Sequence, residues 1–352
     1  MKKQNVVPYA SRKPCKTLVI VLVFIGSLGA IPYLGRAPRQ SERGGNSLAP
    51  PSSAPLIGVT SSTKNPLQVA LLHWYDANLT TAFDVSNAPV GVAFDGANIW
   101  VTNAHGSAVT KLRASDGAML GTFPVGTNPH GVAFDGADIW VANLKSNDVT
   151  KLRATDGIVL GTFAVGGAPA YLAFDGANIW VTNSSSNQVT KLRAGDGATV
   201  GVFPANSNPI GIAFDGANIW VANYATTTVT KLRASDGSIA GVFTVGQGPL
   251  GLAFDGANIW SANADANTVT KLRASDGEVL GIFPGGGQPR GVAFDGANIW
   301  VTNNGSNTVT KFRARDGATL GTFSVQNGPT SMAFDGGSIW VANTSSNSVS
   351  KL

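Results

Sequence analysis

The chain has 352 residues, 43 of them glycine, and its only glutamates are Glu42 and Glu278; this is the composition of turn-rich β structure. Its single cysteine, Cys15, excludes an intrachain disulfide framework, a cysteine-based zinc site and an iron–sulfur cluster. Much of the formal net charge of +5 comes from Lys2, Lys3, Arg12, Lys13, Lys16, Arg36, Arg39 and Arg43, against Glu42 alone in that stretch, so a nucleic-acid partner is not expected.

Residues 1–16 are polar and basic, and Thr17 to Leu34 carry no charge. A positive segment followed by an apolar run predicts export, with residues 1–35 forming either a cleaved signal peptide or a signal-anchor helix. The small-residue site Ser27-Leu28-Gly29 is a poor cleavage sequence. Five basic residues precede the run and three follow, which favours an N-terminus that stays inside. Cys15 lies before the run, so it is not the lipid-bearing cysteine of a lipoprotein signal. The expected location is periplasmic, cell-surface or secreted, with residues 17–34 as the membrane tether if uncleaved. Residues 36–66, rich in Pro, Ser and Gly, read as a disordered linker. Residues 67–78, including Trp74, are expected to cap the following domain or pack on its side.

From residue 91 onward the sequence repeats every 40 residues. The phrase Gly91-Val92-Ala93-Phe94-Asp95-Gly96-Ala97-Asn98-Ile99-Trp100 recurs and ends at Trp140, Trp180, Trp220, Trp260, Trp300 and Trp340. Two further positions, those of Phe94 and Phe123, supply 14 of the 16 phenylalanines. Each unit predicts four short strands, exemplified by Val92–Phe94, Ile99–Thr102, Val109–Arg113 and Met119–Val125. Asp95-Gly96 and Asp116-Gly117 turn the chain between them, and a linker ending at Pro129 leads to the next unit. No window shows a 3.6-residue period, which excludes a helical solenoid. Four strands in 40 residues predict a β-propeller blade. The last unit stops at Leu352 after its third strand, while Thr80–Asn87 matches a fourth strand and linker, with Phe83 and Pro89 in register. The prediction is an all-β, seven-bladed propeller of four-stranded antiparallel blades over residues 67–352, closed by the N-terminal strand.

Comparison of the units assigns the two faces. The Asp-Gly turns are nearly invariant. The loops between second and third strands differ, as do the residues after each proline: Val90, His130, Ala170, Ile210, Leu250, Arg290 and Thr330. These last enter the innermost strand at the channel mouth, so the variable face is the expected ligand-binding face. Its candidate residues are His105, His130, Lys145, Tyr224, Asp265 and Arg290. His105 and His130 have the chemistry of a base or metal ligand, although surface or packing roles are expected of both. Arg290 suits an anion, against solvated surface charge as the plainer alternative. The repeated tryptophans are assigned to packing between blades and the repeated aspartates to turn hydrogen bonds. Lys111 and Arg113 are expected to face solvent or to pair with those aspartates. No nucleophile elbow, phosphate-binding loop, His-Glu-x-x-His or dinucleotide motif is present.

The motif Ile99-Trp100-Val101-Thr102-Asn103, recurring as IWVAN or IWVTN, resembles the YVTN family of propeller repeats with Trp in place of Tyr. That resemblance covers residues 79–352 and implies an extracytoplasmic propeller, mostly binding or structural in role. WD40 repeats match less well, because the Gly-His and Trp-Asp dipeptides are missing. The repeats are also similar to streptogramin lyases of the virginiamycin B lyase type, which implies a catalytic histidine and magnesium in later blades; no histidine follows His130. Lactonase-like propellers are a further neighbour, but their acidic metal cluster has no visible counterpart. The expected function is a monomeric, non-catalytic binding or scaffold module without cofactor, taking a protein or polysaccharide ligand. The alternative is a propeller lyase or hydrolase acting at the channel mouth through His105, His130 and Arg290.

Overall fold

The computed structural model describes residues 82–352. The expected export segment, linker and residues 67–81 lie outside the described residues. Among those described, no helix is long and apolar enough to cross a membrane.

Seven four-stranded antiparallel sheets form the ring. A short strand, β1 (Ala82–Asp84), precedes the first blade, which consists of β2 (Pro89–Phe94), β3 (Asn98–Asn103), β4 (Ala108–Arg113) and β5 (Met119–Pro124). Strands β6 to β25 build five further blades over residues 129–324, and the last contains β26 (Pro329–Phe334), β27 (Ile339–Asn343) and β28 (Ser348–Lys351). β1 pairs with β28, Phe83 opposite Val349, and completes the seventh sheet. The first strand of every blade packs beside the first strand of the next, and β26 returns to β2. The ring is closed.

Each hairpin is specified locally. The Asp95 carboxylate accepts the N–H groups of Ala97 and Asn98 at 2.9 and 2.7 Å and the Trp100 indole N–H at 2.8 Å. One side chain thus fixes the turn and orients the core aromatic of the next strand. Burial acts to raise the Asp95 pKa, but these donors outweigh it and hold the carboxyl below its usual range. Gly96 supplies the left-handed φ of +98° that the turn needs.

The core lies between blades. Trp100, Val109 and Phe123 of the first blade meet Ile139, Val141, Leu152 and Ala154 of the second, with the Trp100 and Phe123 rings 5.5 Å apart. The seam uses the same set: Phe83 lies 5.3 Å from Trp340, against Ile99, Val101 and Leu112. Such buried aromatic pairs carry roughly 0.5–1.5 kcal/mol beyond their area. The packing role expected of the tryptophans holds throughout.

The repeated lysine corrects the solvent-facing half of the sequence expectation, while pairing with a turn aspartate is seen at Lys191, 3.9 Å from Asp175, and at Lys311. Lys111 is buried, donates to the carbonyls of Ala154 and Thr155 on the next blade, and stands 5.1 Å from the Trp100 ring centroid. A carbonyl pair and an indole face replace its hydration shell, which is why a lysine is stable there. Lys151, Lys191, Lys231, Lys271 and Lys351 repeat the latch. Lys311 keeps its tryptophan, but its partner is Asp295 at 3.8 Å and its side chain is 26% exposed. The turn that supplies the accepting carbonyls elsewhere has no counterpart among the described residues of the last blade. Arg113, by contrast, is exposed and pairs with Asp116 at 2.8 Å as expected.

Candidate functional site

Backbone bonds place the two classes of turn at opposite ends of each blade. Ala114 N–H donates to Ala97 O at the invariant end, and Ala104 N–H to Ala88 O at the variable end. The linker after each blade is therefore tied to the neighbouring loop, and the proline that follows starts the innermost strand. In every blade the register slips just after that proline, as between Pro89 and Val92. The two residues in the slip sit where the inner strands crowd around the axis.

The seven residues after the prolines converge. Val90, His130, Ala170, Ile210, Leu250, Arg290 and Thr330 all line one hollow of about 430 Å³ at the channel mouth. His105, Leu144, Tyr171 and Tyr224 are also in its wall. Below it lies a second cavity of about 200 Å³, lined by Leu172, Ile212, Leu252, Val292 and Met332 among others. Tyr171, Leu250 and Arg290 belong to both. They form the neck.

Of the candidate residues, His105, His130, Tyr224 and Arg290 line the mouth. Asp265 does not; it lines a separate hollow with Tyr224, Asn208 and Gln247, where the Tyr224 hydroxyl donates to its carboxylate at 3.4 Å. Lys145 is exposed and lines neither cavity. Tyr171 was not among the candidates. Its signal was present one position further on, where Gly91, Gly131, Gly211, Gly251 and Gly291 are matched by Tyr171 and Ser331.

Burial pushes the His130 pKa down to about 4, so its imidazole is neutral near pH 7. Burial raises the Tyr171 phenol, partly opposed by the Arg290 charge. The hydroxyl stays protonated. Arg290 is the one lysine or arginine lining either cavity, and its Nε is buried without a hydrogen-bond partner. A neck holding one guanidinium can accept one negative charge.

No protein-family model and no curated protein matches the chain. Solved structures do match its fold. Hydrazine synthase of Kuenenia stuttgartiensis superposes with a TM-score of 0.69 at 20% identity, covering 78% of this chain and 97% of that one. A streptogramin B lyase gives 0.66 at 19%, covering 77% and 95%. Virginiamycin B lyase from Staphylococcus aureus gives 0.66 at 19%, covering 77% and 97%. At this identity the likeness is one of fold.

The lyase resemblance implies magnesium. Among the described residues no three His, Cys, Asp or Glu side chains gather as a metal-holding group. The oxygens lining the mouth are the neutral ones of Asn128, Ser184, Thr330, Thr344, Tyr171 and Tyr224, beside two imidazoles and a guanidinium, with no carboxylate, whereas protein magnesium sites are built on one or two carboxylates. The residues present do not fit it.

Proposed function

We propose that this protein is an exported binding module that holds a protein or glycan ligand on the variable face, with part of that ligand seated in the channel mouth. One observation carries the reading: blades that are otherwise near-copies each send a different residue into a single hollow, from Val90 to Thr330. A repeated scaffold needs no such individuality for its own stability. Seven dissimilar groups around one axis give an asymmetric pocket inside a symmetric ring, and asymmetry is what a pocket needs to orient a ligand.

Binding there draws on two physical sources. Displacing water from the partly exposed Ile210 and Leu250 contributes about 25 cal/mol per Å² of apolar surface covered. The donors at the neck then fix orientation. The rigid strands beneath keep the ordering cost low.

The test is capture from envelope extract and on a glycan array, with the full chain beside a Leu250→Trp variant that fills the mouth and a Lys145→Ala variant on the exposed loop. Capture that survives Lys145→Ala and is lost in Leu250→Trp is the expected result. Equal capture by the full chain and both variants removes the mouth from the reading. Turnover of the captured ligand, abolished by substituting His130, establishes the lyase or hydrolase alternative instead.

A further inference from the structure

We infer that the channel neck is a carboxylate site, and that the ligand group entering it is a monoanionic head on an apolar body. The inference rests on the binding reading above and names the chemistry of the group bound.

The geometry has three parts. The first is the guanidinium of Arg290, projected by an innermost strand into the space shared by the upper and lower cavities. Its Nε is buried with no acceptor in reach, and no carboxylate lines either cavity. The arginines of the Lys-x-Arg series, from Arg113 to Arg313, lie outside these cavities, several of them paired with a turn aspartate, as Arg113 is with Asp116. The guanidinium itself is only partly buried, but an Nε shut off from solvent and left unpaired has lost a hydrogen bond that water would have supplied. A bound anion restores that bond.

The second part is Tyr171, a phenol at the same neck in a position that most blades leave as glycine. Its protonated hydroxyl is a second donor for the head group. The third part is the wall. Leu172, Ile212, Leu250, Leu252, Val292 and Met332 provide no further cation, and His130 above is neutral. One planar fork matches one carboxylate in a bidentate pair. A dianion such as a phosphate monoester would find no second lysine or arginine in either cavity to pair with its second charge.

The probe pair is 4-phenylbutyrate and the neutral 4-phenyl-1-butanol, titrated calorimetrically into the full chain and into Arg290→Gln, Arg290→Lys and Leu250→Trp variants. Melting curves check that each variant is folded. The acid is expected to bind about 10- to 100-fold tighter than the alcohol. Arg290→Gln should erase that difference while leaving alcohol affinity within about 3-fold, and Arg290→Lys should keep part of it. The inference is overturned if the acid binds no tighter than the alcohol, if neither binds, or if Arg290→Gln leaves the preference intact. In those cases, capture that is still lost in Leu250→Trp keeps the binding reading with a different ligand chemistry. Loss of both ends both.

Discussion

At the residue scale, the repeated lysine shows how one side chain joins neighbouring blades. Lys231 donates to the carbonyls of Ala274 and Ser275 and lies 5.0 Å from the Trp220 ring. Replacing it with methionine keeps the stem and orphans a buried carbonyl, so Lys231→Met should cost about 1–3 kcal/mol. Lys311 lacks that carbonyl pair and is partly solvated. Lys311→Met should therefore cost less than half as much, and chemical denaturation of the two variants gives the comparison. Equal losses would show that the indole contact, rather than the carbonyls, carries the latch. His130 makes a second residue-scale prediction. Its folded pKa of about 4 lies below the ordinary 6.5, so the unfolded chain takes up a proton first as pH falls. The stability associated with neutral His130 is complete above pH 6.5 and declines towards pH 4, by about 3 kcal/mol in all. His130→Asn should flatten the dependence of Tm on pH over that window. An unchanged slope would place the imidazole in solvent.

At the element scale, the short strand β1 carries more than its length suggests. Phe83 stacks on Trp340 and lies against Gly117, where any Cβ would collide with the Phe83 ring. Every phenylalanine of this series up to Phe283 packs on the corresponding glycine of the following blade. Phe323 has no such glycine and is 40% exposed. Phe83→Ala should cost about 3–5 kcal/mol and broaden the unfolding transition, because the ring then opens at its seam. Phe323→Ala, already half in solvent, should cost much less. Denaturation midpoints and slopes measure both, and a Phe83→Ala loss no larger than that of Phe323→Ala would remove β1 as the closing element.

At the scale of the whole molecule, period and composition determined the architecture: 40-residue units with one Trp, two Phe and two Asp-Gly turns leave few ways to bury their aromatics except between stacked blades. The blade count was legible as well, because Phe83 and Pro89 keep the register of the missing strand. So was the convergence of the residues after the prolines, since a fixed repeat puts equivalent positions at equivalent radii. Two things were not legible. The alternation of side chains along a strand does not say which neighbour a side chain meets, so Lys111 reads as solvent-facing or paired with a turn aspartate in the sequence, whereas the adjacent blade brings Ala154 and Thr155 within its reach. Nor does a repeat reveal which of its odd residues share one space. Tyr171 and Arg290 are three blades apart in the chain and meet at the neck only because the ring closes. Local pattern fixes what each blade is; closure of the ring decides which of their differences act together.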